Sequence, residues 1–149
     1  MNPFDLKTVL LAKHAQHVLL IHFPIALFMV SFAFDLLAIW RDSRQLAIAA
    51  YYNLVAAAIA TLPTVATGLV AWQWLYGGKK LRGNLRLHLL LALVSSAMIW
   101  ILCCWRMRSQ RQQGPLTPVY LAIEIIAVAL ITLTGHLGGI LSGVEAPVG

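Results

Sequence analysis

Four apolar runs, Val18–Trp40, Leu46–Tyr76, Leu87–Trp105 and Pro118–Leu141, take up most of the chain, and short basic stretches separate them. Each is about as long as the ~20 residues a helix needs to cross a hydrocarbon core of ~30 Å. Inside such a core every backbone N–H and C=O must find its partner within the protein, so a single run can cross only as a helix. Composition agrees: 11% of residues are charged, against about 25% in soluble domains. The expected fold is all-α, an integral membrane up-down-up-down four-helix bundle. It forms a single domain over residues 1–149, with helices at about 18–40, 46–76, 87–105 and 118–141.

The connections "RDSRQ", "GGKKLRGN" and "RMRSQRQQGPLT" are short, which makes consecutive helices antiparallel neighbours. Gly114 and Pro115 break the third helix, and Thr117 with Pro118 starts the fourth. An even number of helices places both termini and the 77–86 loop on one side of the membrane, here side A. Lys7, Lys13, Lys79, Lys80, Arg82 and Arg86 lie there, and Arg41, Arg44, Arg106, Arg108 and Arg111 lie on side B. The two sets are nearly equal, so the positive-inside rule does not orient the bundle. The net charge of +6 sits in these loops, the ordinary place for Lys and Arg in a bilayer protein. It implies the lipid bilayer as partner and no nucleic acid. No apolar core precedes a small-residue cleavage site near the N-terminus, so the first helix is expected to act as an uncleaved insertion signal. Cys103 and Cys104 are adjacent and point about 100° apart on a helix, which disfavours a disulfide between them. Nucleophile-elbow, P-loop and dinucleotide motifs do not occur, which argues against a self-contained enzyme.

The chemistry lies in the histidines. "HAQHVLLIHFPIALF" holds His14, His17 and His22, and the other two are His88 and His136. In the four-helix frame all belong to side A. His14 and His17 fall in the polar boundary, His22 about one turn inside, His88 at the start of the third helix and His136 near the end of the fourth. At 1.5 Å per residue, His22 and His136 match best in depth. Small residues mark helix–helix faces in membranes and bulky ones mark lipid faces. On that basis His22 groups with Ala26, Met29 and Ala33. His88 groups with Ala92 and Ser95. His136 groups with Ala129, Thr132, Gly139 and Gly143. The second helix offers Ala57, Thr61, Thr64, Gly68 and Ala71. His22, His88 and His136 are thus expected to converge between the helices, and Ile131 to face lipid. Neutral imidazole is a common metal and axial haem ligand. The expected cofactor is haem b, with His22 and His136 as the iron ligands and His22 with His88 as the alternative pair. Phe23, Trp72, Trp74 and Tyr76 would flank the ring, and Arg82 or Arg86 would reach its propionates. The competing reading is packing alone, each histidine bonding a neighbouring carbonyl or threonine.

Pro63 predicts a bend in the second helix, with Thr61, Thr64 and Thr67 serving its freed carbonyls. Asp35 and Glu124 fall level with one another near side B. They read as interfacial or capping carboxyls, with a proton path toward side B as the sharper alternative.

"VLLIHFPIALF" followed by Asp35, then "TLPTVATGL", "RLHLLLALV" and "LTGHLGGILSGV" resemble, in order, the bacterial membrane family known as domain of unknown function 2231. The resemblance runs from His17 to Gly143, and "HFP" and "GHLGG" are its most specific pieces. It implies a four-helix protein of the bacterial inner membrane with no settled activity. Members often carry further acidic or polar residues after the second-helix "TG", where this chain has "LVAWQWLYGG". The architecture is also similar to four-helix b-type cytochromes, an analogy of fold alone. The expected function is electron transfer by a membrane-embedded haem b near side A. Its partner would be a quinone or another redox membrane subunit, in an oligomer or complex. The alternative is a non-enzymatic membrane subunit or assembly factor that binds a metal ion or a partner protein through the same histidines. A small transporter fits least, since no inverted repeat is visible.

Overall fold

The computed structural model describes residues 13–75, 82–111 and 116–141. They form four helices: α1 (Lys13–Arg41), α2 (Arg44–Leu75), α3 (Gly83–Arg111) and α4 (Pro118–Leu141). Each contains a stretch long and apolar enough to span a bilayer. α1 and α3 outrun their apolar runs at both ends, most of all α3, which continues through Arg106 to Arg111, whereas α4 coincides with its run. Hydropathy drops at the first charge, but backbone hydrogen bonding continues into the polar boundary, so charge alone does not end a helix.

Local chemistry fixes the ends. Asp42 adopts a left-handed conformation (φ 47°) and the Ser43 N–H donates to the Ala38 carbonyl at 3.0 Å. This is a Schellman closure of α1. Ser43 then caps α2, its carbonyl accepting from the Ala47 N–H at 3.2 Å. At α4 the Thr117 hydroxyl accepts from the Tyr120 N–H at 3.2 Å, and Pro118 occupies the first helical position, where no N–H is needed.

Each helix buries one stripe at three- and four-residue spacing. The stripes are Pro24, Phe28, Ser31, Asp35 and Ala38 on α1, Ala50, Leu54, Ala57 and Thr61 on α2, Ser95, Ile99, Leu102 and Arg106 on α3, and Tyr120, Glu124, Ala127 and Ile131 on α4. Phe28, Leu54, Ile99 and Ile131 form the middle of the core. α1 and α2 pack along most of their length, α3 meets α2 and α4 less closely, and α1 touches α4 only briefly. Alanines let the α1 and α2 backbones approach, and the buried Ser31 hydroxyl donates across to the Ala50 carbonyl at 2.8 Å. Leucines, isoleucines and the terminal Trp40 and Trp74 cover the outside, as lipid contact and the aromatic boundary require.

The prolines explain a second tie. Pro24 has no N–H to give the Leu20 carbonyl. The Thr64 hydroxyl of α2 lies 3.2 Å from that oxygen and 2.8 Å from the Ala60 carbonyl. "HFP" and "TLPT" are therefore two halves of one interhelical contact. α2 itself is a single helix of 32 residues through Pro63.

Two faces differ from expectation. On α4, Ile131 is buried and His136 is exposed. The inward stripe continues through Thr134 and Gly138, so the helix is turned away from the Ala129–Thr132–His136 face, and of the described residues on the expected face only Gly139 lines the interior cavity. On α1, Ala26, Met29 and Ala33 are exposed. Small size was a poor guide on these two helices, because their inward stripes carry the hydrogen-bonding and charged groups that lipid cannot serve.

Candidate functional site

A cavity of about 380 Å³ opens between the four helices toward side A. That is within the ~300–1,000 Å³ typical of small-molecule sites. His17 and His22 reach it from α1, His88 from α3, Thr64 and Trp72 from α2, and Thr134 from α4. Ile99 and Ile131 line it on the side of the core.

His22 stands at the exposed rim, its Nδ1 2.7 Å from the Val18 carbonyl one turn earlier. His88 is half-buried, its Nδ1 3.1 Å from the Thr134 carbonyl of α4. A carbonyl can only accept, so in both rings Nδ1 carries the hydrogen, and the neutral form of each ring has its lone pair on Nε2. This is the tautomer that ligates metal, with the second nitrogen held by a backbone oxygen. His17 is half-buried rather than solvated in the boundary. Its Nδ1 lies 3.3 Å from the Thr67 hydroxyl, which itself lies 2.8 Å from the Pro63 carbonyl.

Two glycines make room for the rings. A Cβ at Gly68 would stand 2.9 Å from His17 Cε1, and one at Gly138 would stand 3.2 Å from His88 Cε1. At Gly139 a Cβ would meet nothing within 4 Å.

The expected convergence of His22, His88 and His136 is thus corrected. His22 and His88 share the cavity, His17 joins them, and His136 is exposed on α4 and does not line it. Of the expected flanking aromatics, Trp72 lines the cavity, Phe23 and Trp74 are exposed, and Tyr76 lies outside the described residues, as does the His14 side chain. Arg82 and Arg86 are exposed.

A second constellation lies at the side-B end. Arg106 donates from Nη1 to Asp35 Oδ2 at 3.0 Å and from Nη2 to Asp35 Oδ1 at 2.7 Å, and Nη2 also reaches the Ala47 carbonyl at 3.1 Å. The fork-to-fork pair joins α1, α3 and the backbone of α2, and both side chains are buried. Glu124 of α4 is 0% exposed beside them. The guanidinium lies 5.6 Å from the centre of the Tyr120 ring. Asp35 and Glu124 are therefore core residues and not interfacial or capping carboxyls. Arg106 belongs to this core and not to a loop. Sequence reasoning missed this cluster; the signal for it is that Asp35, Arg106 and Glu124 each fall on the stripe of their helix that also carries Ser31, Ser95 or Thr134.

No curated protein and no solved structure matches the chain. A family model described as "Predicted membrane protein (DUF2231)" matches residues 13–145. With four membrane-length helices in place and nearly the whole chain covered, the protein belongs to this family of predicted membrane proteins.

Proposed function

We propose that the protein is a membrane electron-transfer component that holds one haem b in the side-A cavity, with His22 and His88 as the axial ligands. One observation carries the reading: two imidazoles from α1 and α3 line the same cavity, and each is held by a backbone carbonyl in the form whose Nε2 ligates iron. The pair comes from helices that are not sequence neighbours, which suits a flat ring inserted between them. His136, the partner expected from depth, is set aside because it does not line the cavity.

The walls fit such a group. They are mostly aliphatic, with small residues at Ala92, Gly135 and Gly139 and the hydroxyls of Thr64 and Ser96. Among the described residues no three His, Cys, Asp or Glu side chains gather closely enough to hold a metal ion. That favours a cofactor carrying its own equatorial ligands over a bare ion. The haem would supply one-electron chemistry. The protein's part is to fix the two rings, exclude water with apolar walls and keep the site within reach of the bilayer. The electron partner is a lipid-soluble quinone or a neighbouring redox subunit of the bacterial inner membrane.

The test is absorption spectroscopy of the purified protein from a haem-replete host. The expected result is a Soret band with a sharp reduced α-band of the low-spin, bis-histidine type, at one haem per chain. A folded, colourless preparation would refute the proposal and leave a structural or partner-binding role for the same histidines.

A further inference from the structure

We propose that the side-B cluster is a proton-binding site, in which Asp35 and Glu124 share one proton beside Arg106 and the proton resides on Glu124. Charge balance is the first ground. Asp35, Glu124 and Arg106 are all buried. Among the described residues Tyr120 is the other titratable group facing them, and α2 contributes the Ala47 carbonyl. With both acids ionised the buried cluster carries one uncompensated negative charge. One proton makes it neutral, and burying an unpaired charge is the costlier arrangement.

Hydrogen bonding is the second ground. The Arg106 fork is spent on the two oxygens of Asp35. Both oxygens of Glu124 are buried with no hydrogen-bond partner, although the carboxyl lies against Asp35. Two ionised carboxylates are acceptors only, so this contact holds no hydrogen bond. A proton on Glu124 turns it into a donor toward Asp35 and satisfies both groups at once.

An exchange route is the third. A small cleft lined by Trp105, Arg106, Ser109, Leu116, Thr117 and Tyr120 touches two members of the cluster. Its volume of about 10 Å³ is close to that needed for a single water. Tyr120 lines the cleft, and its hydroxyl is also buried and without a hydrogen-bond partner. In the exchange step the Glu124 O–H bond breaks, its electron pair stays on the carboxylate, and the proton passes to water on side B. Phe28, Leu54, Ile99 and Leu102 fill the space toward the histidine cavity, so the site loads from side B. This inference does not depend on haem.

Infrared spectroscopy of the full-length protein in lipid nanodiscs tests it. At neutral pH the wild type should show the carbonyl stretch of a protonated carboxylic acid, shifted to lower frequency after exchange into D2O. Labelling all glutamates with carboxyl ¹³C should move that band without any mutation. Glu124→Gln should abolish it, and Glu145→Gln should leave it in place. Absence of the band from folded wild-type protein would overturn the proposal. So would a band that moves with labelled aspartate instead, or one that survives Glu124→Gln.

Discussion

Removing the charges of the side-B cluster one at a time should give unequal and non-additive losses. Arg106 holds Asp35 through two charge-assisted bonds of 3.0 and 2.7 Å, and Glu124 waits beside the pair. Arg106→Met leaves two buried acids with no cation, and breaking a buried pair from one side costs about 3–5 kcal/mol. Asp35→Asn removes the ionised partner, but Glu124 can then give up its proton and take the guanidinium. The expected loss is smaller, about 1–3 kcal/mol for the poorer geometry. Glu124→Gln replaces a protonated acid by an amide of similar shape and should cost under about 1 kcal/mol. The double variant Asp35→Asn/Glu124→Gln strands the guanidinium and should again lose about 3–5 kcal/mol. At mid-range that exceeds the sum of the single losses by about 1–2 kcal/mol, within the range of coupling seen for residues of one network. Equilibrium unfolding in mixed micelles, followed by tryptophan fluorescence, reads this directly. Trp105 packs edge-on against Tyr120 at 6.0 Å between ring centres, so it reports on the cluster. If Asp35→Asn costs as much as Arg106→Met and the double variant is additive, Glu124 does not stand in for Asp35 and the shared-proton reasoning fails.

Other perturbations probe the fold and the cavity. Gly68→Ala should destabilise the protein by about 1–3 kcal/mol, the usual cost of overpacking, because its Cβ meets His17 at 2.9 Å, whereas Gly139→Ala should be neutral or better. Thermal unfolding of the two variants side by side checks this. Asp42→Gly relieves a left-handed residue at the α1–α2 turn and should raise stability slightly, while Asp42→Val should lower it by about 1–2 kcal/mol. Chemical denaturation of both variants gives the comparison. Cysteine accessibility in sealed vesicles should place Ser43→Cys and Thr117→Cys on one side and Arg82→Cys on the other. Labelling of all three from one side would contradict the four-span topology.

The number of helices, their order and their alternation were legible because a bilayer permits so few solutions to an apolar run. The turn chemistry of Thr117–Pro118 was legible for the same local reason. The rotation of each helix was less so. Judging faces by residue size placed α2 and α3 correctly, since several of the small residues there, Thr61, Thr64 and Ser95, are also polar. It failed on α1 and α4, where Phe28 and Ile131 turn inward and Ala33 and Ala129 outward. Buried polar groups were the better compass: Ser31 and Asp35 mark the inner face of α1, and Glu124 and Thr134 that of α4. Arg106 escaped notice because an arginine at the end of an apolar run looks like a loop residue until its partner on another helix is known. His17 was placed in the polar boundary because only the tertiary approach of Gly68 and Thr67 gives it a half-buried seat.

The central claim, a haem held by His22 and His88, is tested most directly by the reduced-minus-oxidised absorption spectrum of single-histidine variants. These would be expressed in a haem-replete host and compared at equal protein. The account predicts that His22→Ala and His88→Ala each abolish the low-spin α-band or convert it to a high-spin spectrum, while His136→Ala leaves it intact. Loss of the band in His136→Ala with His88→Ala unaffected would contradict the assignment of the site, and no band in any folded variant or in the wild type would contradict the haem itself.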